Sequence, residues 1–243
     1  MDIKQIKCVS AIVFDFDGTM FHLFKNYNLK NTVKILNTEM KKYRINFRED
    51  LDAFDVFSEI EKQSDVLKED SKTALKIADN ILTCAEEDAV KSGEPVLGVS
   101  EIIRKLVIRK VPVGIATNNS EKSVKCFLND YCSSVQLPIV GRVAGSPQLM
   151  KPNIWSLTKI SKMLKCRCQE ILFVGDTKRD YECARAAGCY FLGMASTKIK
   201  EDRLLRISSS DYIVHDFYEF YNFLEKYNID FFAKSNKCNK SKI

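Results

Sequence analysis

Short apolar segments alternate with amphipathic segments over most of the chain. The apolar segments are rich in β-branched and aromatic residues and predict strands at 10–15, 111–116, 135–140, 171–174, 190–194 and 212–214. The segments between and after them place apolar residues at helical spacing and predict helices at 99–109, 121–129, 153–164, 178–187 and 217–227. This alternation is typical of an α/β protein in which helices cover both faces of a parallel sheet.

The stretch from residue 24 to residue 92 interrupts this alternation. It contains neither Gly nor Pro, and apolar residues such as Val33, Leu36 and Met40 recur at helical spacing. It is followed by helix-stop residues, S-G-E-P at 92–95. We therefore predict three or four amphipathic helices, without a strand, inserted into an α/β core. The predicted domains are a core of residues 1–19 and 94–229, an all-helical insert of residues 20–93, and a basic tail at 230–243 that is expected to be disordered.

The amino-acid composition and the net charge restrict the kind of protein and the kinds of partner that we expect. Of the 243 residues, 45% are hydrophobic and 29% are charged, which is typical of a soluble globular protein. A formal net charge of +6 favours anionic small molecules but is too small for a nucleic-acid binder. No apolar stretch reaches the roughly 18 residues of a membrane span, and Asp15 and Asp17 within the first apolar run argue against a signal peptide. We therefore expect a cytoplasmic monomer or homodimer that binds neither nucleic acid nor membranes.

The cysteines do not form a recognisable framework. There are nine of them, and no pair of C-x-x-C motifs occurs. Cys166 and Cys168 form a single C-x-C without a second pair nearby, so a zinc site is the less favoured interpretation. Free thiols in a reducing cytosol explain the pattern better.

Compact polar residues follow three of the predicted strands. The carboxyl ends of parallel strands meet at one edge of the sheet, where α/β folds place their ligand sites. The residues there are Asp15, Asp17, Gly18 and Thr19 after the first strand, Thr117, Asn118 and Asn119 after the second, and Gly175, Asp176, Thr177 and Asp180 after the fourth. Turns and helix caps also favour such residues, which explains any one of the three groups but not all of them together.

Four carboxylates are therefore expected to converge at this edge of the sheet. They stay ionised together only when cations neutralise them. Because oxygen ligands without His or Cys select hard ions, the sequence predicts Mg²⁺ rather than zinc or copper. Lys151, in the loop after the third predicted strand, is the expected second cation.

Four segments together resemble the signatures of the haloacid dehalogenase superfamily. They are D-F-D-G-T at 15–19, A-T-N-N at 116–119, K-P at 151–152 and G-D-T-K-R-D at 175–180, in the family's order. The helical insert lies where subfamily I members carry a cap, as in phosphoglycolate phosphatase-like members. The resemblance extends from about residue 9 to residue 223 and implies a Rossmann-like core with an inserted helical cap.

The resemblance also implies an activity and a role for each matching residue. The activity is that of a Mg²⁺-dependent phosphatase that hydrolyses a small phosphorylated metabolite through an aspartyl-phosphate. The implied catalytic residues are Asp15 as nucleophile, Asp17 as general acid and base, Thr117 and Lys151. The implied phosphate-binding residues are Gly18, Thr19, Thr117, Asn118 and Lys151. The implied metal ligands are Asp15, Asp17 through its backbone carbonyl, Asp176, and Asp180 through water or as an orienting residue.

Several alternatives stay open at this point. The candidate substrates are phosphoglycolate, a sugar phosphate, a nucleotide-like ester and pyrophosphate. A phosphomutase of the β-phosphoglucomutase-like group would share the core, and a catalytically weak binding protein would keep the fold alone. The segment M-F-H-L at 20–23 is bulkier than in many cap-bearing phosphatases. The helical insert is expected to act as a lid that selects the substrate.

Overall fold

A parallel six-stranded sheet forms the centre of the molecule. The computed structural model describes residues 9–48, 51–63, 69–207 and 212–227, so the predicted tail lies outside the described residues. The strands are β1 (Ala11–Phe14), β2 (Phe21–His22), β3 (Glu94–Pro95), β4 (Val113–Ala116), β5 (Ile139–Val140), β6 (Ile171–Gly175), β7 (Tyr190–Met194) and β8 (Ile213–Val214). The sheet has the order β5-β4-β1-β6-β7-β8, and each neighbouring pair is parallel. The predicted α/β fold is confirmed.

Helices follow most of the strands. They are α1 (Leu29–Lys41), α2 (Asp55–Lys62), α3 (Glu69–Val90), α4 (Val99–Ile108), α5 (Glu121–Tyr131), α6 (Trp155–Met163), α7 (Lys178–Ala187), α8 (Lys198–Leu205) and α9 (Phe217–Lys226), with short 3-10 turns at Pro147–Leu149 and Cys168–Glu170. None of the helices in the described part of the chain combines the length and the apolar character that a membrane crossing requires.

The central strand β1 is buried on both faces of the sheet. Successive side chains of a strand point to opposite faces. Ile12 and Phe14 therefore enter a core that includes residues of α4, α5 and α9, whereas Ala11 and Val13 enter one that includes residues of α6, α7 and α8. All four side chains have no exposed surface. Burial on both faces explains why this strand is apolar throughout instead of alternating.

The inserted helices α1, α2 and α3 have a hydrophobic core of their own. Leu36, Phe57 and Ala78, one from each helix, belong to it. The long helix α3 continues past this core, and Ala89 and Val90 near its end pack into the core beside the sheet. The described residues between 24 and 92 contain helices and no strand, and α3 connects the insert physically to the sheet domain.

A two-stranded antiparallel ladder, which the sequence did not predict, joins the insert to the core. Phe21 and His22 of β2 pair with Pro95 and Glu94 of β3. Gly93 is required beside it, because a Cβ at this position would lie 2.3 Å from Cε1 of Phe21. The chain therefore enters and leaves the insert through two neighbouring strands.

Two further elements differ from the sequence-based expectation. The strand predicted at 135–140 is limited to Ile139–Val140, since Pro138 has no N–H to donate to a ladder and the pairing with β4 begins after it. Helix α8 was not predicted because it buries only Leu204 and so lacks an apolar stripe. Its N-terminus is capped by Thr197, whose hydroxyl accepts a hydrogen bond from the N–H of Lys200 at 3.4 Å.

An aromatic cluster supplies a test of this core. The Phe14 ring lies 5.3 Å from that of Phe217 and 5.2 Å from that of Phe220. We expect Phe14→Ala to lower the free energy of unfolding by about 3–5 kcal/mol through lost burial and a residual cavity. Ile108→Ala, at a position 80% exposed, should change it by less than about 0.5 kcal/mol. Urea denaturation of both variants measures the difference, and equal losses would contradict the described core.

Candidate active site

A cleft of about 560 Å³ opens at the carboxyl ends of the strands, where the insert faces the sheet domain. Its walls include residues from every segment that the sequence analysis singled out. From the core these are Asp15, Asp17, Gly18, Thr117, Asn118, Asn119, Lys151, Asp176, Thr177 and Asp180. The position agrees with the rule that parallel α/β sheets bind ligands at this edge.

Lys151 is paired with two carboxylates at the floor of the cleft. Its Nζ donates to Oδ1 of Asp15 at 2.6 Å and to Oδ1 of Asp180 at 2.5 Å. All three residues are buried. Burial lowers the pKa of the Lys151 ammonium, but the two carboxylates outweigh it and raise the pKa above its ordinary value. Lys151 therefore stays charged and is the cation that the sequence analysis expected here.

Both carboxylate oxygens of Asp180 accept hydrogen bonds from neighbouring residues. While Oδ1 binds Lys151, Oδ2 accepts from the backbone N–H of Thr177 at 3.0 Å and from its hydroxyl at 2.5 Å. The Thr177 hydroxyl accepts in turn from the N–H of Asp180, which completes a capping box at the start of α7. Asp180 thus fixes both the lysine and the helix that follows β6.

Asp176 has a partner that the sequence analysis missed. The Nζ of Lys200, from α8, lies 2.6 Å from Oδ2 of Asp176 and donates to the carbonyl of Gly18 at 3.0 Å. Burial raises the pKa of Asp176, and Lys200 opposes that shift. Extending the strand-end argument to β7 would have pointed to this segment, because α8 starts just beyond that strand.

A side chain does not fit at Gly18, the glycine of the D-F-D-G-T segment. Gly18 has a φ of +84°, and a Cβ there would lie 2.2 Å from Oδ2 of Asp176 and 2.4 Å from Nζ of Lys200. A side chain would therefore be strained and would also displace the charged groups. The N–H of Gly18 donates to the carbonyl of Phe21 at 2.7 Å, which closes the turn after β1.

Asp17 lies in the same cleft but outside the acidic group. Its Oδ1 accepts from the N–H of Leu23 at 2.9 Å, which orients the carboxyl toward the start of the insert. Burial and the charge of Asp176 raise the pKa of Asp17 to about 7. Burial and Asp180 likewise raise the pKa of Asp15 to about 7, against the opposing charge of Lys151.

Three carboxylates form the acidic group of the site. Asp15, Asp176 and Asp180 offer oxygens that lie within 4.8 Å of one another. The donor set consists of carboxylate oxygens, which suits a hard divalent cation. The carboxylate of Asp17, the fourth that was expected to converge here, lies outside this group.

The remaining predicted phosphate-binding residues have other partners in the structure. The Thr117 hydroxyl reaches Oδ1 of Asn119 at 3.0 Å. The amide of Asn118 brackets the main chain of Lys151, accepting from its N–H at 2.8 Å and donating to its carbonyl at 3.2 Å. Thr19 is fully buried, with its hydroxyl 3.5 Å from Oδ1 of Asp176. Asn118 and Thr19 thus order the residues around them, while Thr117 borders the cleft.

The outer part of the cleft carries both signs of charge. His22, Lys25 and Arg179 line it, and Asp55 of α2 accepts from Nη2 of Arg179 at 2.6 Å, across the gap between insert and core. Burial and the charge of Lys200 lower the pKa of His22, which favours its neutral form. Sequence reasoning did not single out Arg179, because an exposed helix arginine has no distinguishing pattern.

Comparisons with known proteins agree with this architecture. A protein-family model described as haloacid dehalogenase-like hydrolase matches residues 12–194. The phosphoglycolate phosphatase of Pectobacterium atrosepticum is 32% identical over 104 residues, and the match spans 40% of this chain and 42% of that enzyme.

Solved structures share the fold at low sequence identity. A predicted phosphatase from Clostridium acetobutylicum has a TM-score of 0.63 at 14% identity, covering 90% of this chain and 100% of that one. A β-phosphoglucomutase from Clostridium difficile has a TM-score of 0.61 at 14% identity, covering 90% and 97%. Such likeness establishes the architecture and leaves the reaction to the site itself.

The pairing of Lys151 predicts a large effect on stability. Lys151→Met leaves the Asp15 and Asp180 carboxylates buried beside each other, and we expect it to lower the free energy of unfolding by about 3–5 kcal/mol in metal-free buffer. The control Lys200→Met removes a partly exposed ammonium, and we expect it to cost only about 1–2 kcal/mol. Denaturant titrations at one pH compare the variants, and wild-type stability of Lys151→Met would contradict the pairing.

Proposed function

Because the chain belongs to the haloacid dehalogenase-like hydrolase family, we propose that it is a phosphatase that hydrolyses small phosphate monoesters through an aspartyl-phosphate on Asp15. The observation that carries this proposal is the 2.6 Å ion pair between Asp15 and Lys151 at the floor of the cleft. A carboxylate in this position can attack phosphorus, and the ammonium neutralises the negative charge that nucleophile and phosphoryl group share.

Asp17 is the proposed general acid and base. In the first step an oxygen of Asp15 bonds to phosphorus, the bond to the ester oxygen breaks, and Asp17 gives its proton to that leaving oxygen. In the second step Asp17 takes a proton from water, which attacks phosphorus, frees the Asp15 carboxylate and releases inorganic phosphate. The orientation of Asp17 supports this role, because the N–H of Leu23 holds its carboxyl apart from the acidic group.

The acidic group supports a divalent cation, and we propose Mg²⁺. Asp15, Asp176 and the backbone carbonyl of Asp17 would hold it, and Asp180, whose oxygens are engaged by Lys151 and Thr177, would orient rather than bind. When bound, the cation would supply positive charge beside the reacting phosphoryl group. The oxygen-only donor set favours a hard ion over zinc or copper.

The Thr117 hydroxyl and the Lys151 ammonium are the proposed contacts for the phosphoryl oxygens. Asn118 contributes by fixing the main chain of Lys151, and Gly18 by leaving space beside Asp176. The leaving group would extend toward His22, Lys25 and Arg179 in the outer cleft. This mixed rim suits a small polar ester such as phosphoglycolate, a sugar phosphate or a nucleotide-like compound.

The helical insert is the proposed selector of the substrate, and the protein is proposed to act in the cytoplasm. The insert contributes Asp52 and Phe54 to the outer cleft, so its side chains would contact the leaving group. No disulfide joins the cysteines that the structure describes, which is compatible with a reducing compartment.

Replacing the nucleophile tests the chemistry. We expect Asp15→Asn to lower kcat for a generic aryl phosphate by at least about 10⁴-fold, because an amide neither attacks phosphorus nor forms the acyl phosphate. Asp130→Asn makes the same chemical change at an exposed position of α5 outside the cleft and should keep kcat within about threefold. Turnover by a folded Asp15→Asn protein at the wild-type rate would exclude the mechanism, and a strict need for a sugar bisphosphate would indicate a mutase instead.

Removing and restoring the cation tests the metal proposal. We expect chelation to abolish turnover and Mg²⁺ to restore it, whereas the larger Ca²⁺ should inhibit by misplacing the nucleophile. Mg²⁺ at about 100 times its Kd should also stabilise the wild-type fold by about 2.7 kcal/mol, and this gain should vanish in Asp176→Asn. Thermal unfolding with and without Mg²⁺ measures the gain. Full activity after exhaustive chelation is the result that contradicts the proposal.

A further inference from the structure

A second cluster of buried charges lies where the insert meets the core. Arg142, in the loop after β5, donates from Nε to Oδ1 of Asp79 at 2.6 Å and from Nη1 to Oε1 of Glu86 at 2.8 Å. Both carboxylates belong to α3. The side chains of Arg142 and Glu86 are 1% and 0% exposed, so water does not solvate this pair. Apolar residues of similar volume would anchor a helix at least as well, which raises the question of what the charges do.

Glu86 reaches from the insert into the loop after β4. Its Oε2 accepts from the backbone N–H of Ser120 at 2.8 Å, and its Oε1 accepts from Nδ2 of Asn119 at 3.2 Å. These residues directly follow Thr117 and Asn118, which border the cleft. One carboxylate of the insert therefore holds both a main-chain and a side-chain donor of this loop.

The contact with Glu86 fixes the orientation of the Asn119 amide. Because Nδ2 faces a carboxylate, Oδ1 must point the other way, toward the Thr117 hydroxyl at 3.0 Å. The same hydroxyl oxygen accepts from the N–H of Asn119 at 3.2 Å. A chain of hydrogen bonds thus runs from Glu86 through Asn119 to Thr117.

Arg142 holds the other side of the same loop. Its Nη1 donates to the carbonyl of Asn118 at 2.9 Å, and its backbone N–H donates to the carbonyl of Asn119 at 2.8 Å. Arg142 thus holds two carbonyls of the loop and Glu86 holds two of its donors, so four polar groups of the loop are satisfied by these two side chains.

We propose that Glu86 is a positioning residue for the phosphoryl site. It sets the place of the Thr117 hydroxyl oxygen through Asn119, and the hydroxyl proton, which points to Asn119 Oδ1 in this structure, turns to a phosphoryl oxygen when one binds. Arg142 holds Glu86 and the loop in this arrangement. Residue Glu86 belongs to the insert, so the insert contributes to phosphate binding as well as to the outer cleft. This inference rests on the proposed role of Thr117 in binding phosphoryl oxygens.

The test compares two substitutions that each remove one carboxylate from Arg142. Glu86→Gln disturbs the contacts with Arg142, Asn119 and Ser120, whereas the matched control Asp79→Asn disturbs the contact with Arg142. We expect Glu86→Gln to weaken competitive inhibition by inorganic phosphate and to lower kcat/KM for a generic aryl phosphate by about tenfold or more, as for a lost hydrogen bond to a charged group. Asp79→Asn should keep both values within about threefold, even if it unfolds at lower denaturant concentration.

A reversed pair separates positioning from general stabilisation. In the double variant Glu86→Gln, Asn119→Asp, the new amide can donate to the new carboxylate, which still accepts from the Thr117 hydroxyl. We expect it to recover at least about fivefold in kcat/KM over Glu86→Gln alone. If Glu86→Gln does not fold, Asn119→Ala decides, because it keeps the Glu86–Arg142 pair and removes the side-chain link between Glu86 and Thr117.

The outcomes distinguish this inference from the proposed function. A wild-type enzyme that does not hydrolyse phosphate esters contradicts the proposed function. An active wild type in which Glu86→Gln and Asp79→Asn have equal effects on phosphate inhibition, or in which Asn119→Ala has none, overturns the positioning role. Weaker phosphate inhibition confined to Glu86→Gln and Asn119→Ala supports it.

Discussion

The mutual repulsion of buried carboxylates is the constraint around which this site is organised. Asp15, Asp176 and Asp180 bring oxygens within 4.8 Å of one another, in a place that water does not solvate freely. Such a group is stable only when cations compensate it. Lys151, in the loop before α6, pairs with Asp15 and Asp180, and Lys200, in α8, pairs with Asp176. The helix cap at Thr177 engages Asp180, and the absence of a side chain at Gly18 leaves room for Asp176 and Lys200, so both features help to place those charges.

The helical insert is part of this arrangement rather than an addition to its surface. One end of α3 packs within the insert, and the other packs against the sheet domain. Between those ends, Glu86 and Asp79 meet Arg142 in a buried cluster. Separating the members of a buried ion pair is costly, because it leaves unpaired charges in the protein interior, which solvates them poorly. The contacts of the insert with the core therefore differ in strength: the exposed pair Arg179–Asp55 at α2 is easier to separate than the buried cluster at α3.

Sequence reasoning was most successful where a residue's chemistry and its place in the chain point the same way. Asp15 and Asp176 are polar residues at the ends of apolar strands, so both the sheet and its acidic edge were predictable. Lys200 and Arg142 were not, since each is one cation among many and acquires its meaning only through partners far away in sequence. Helix α8 and the short ladder between β2 and β3 were missed because neither carries enough apolar periodicity to be detected.

The ladder between β2 and β3 has a consequence for how such a protein can change over evolution. Because the chain leaves the sheet domain and returns to it through adjacent strands, the distance to be bridged is the same whatever lies between them. An insert of a different length then changes the chain entropy only slightly, because the entropy lost on closing a loop depends only weakly on the length of the loop. The insert can therefore be lengthened, shortened or exchanged between the two strands of the ladder while the sheet domain stays unchanged.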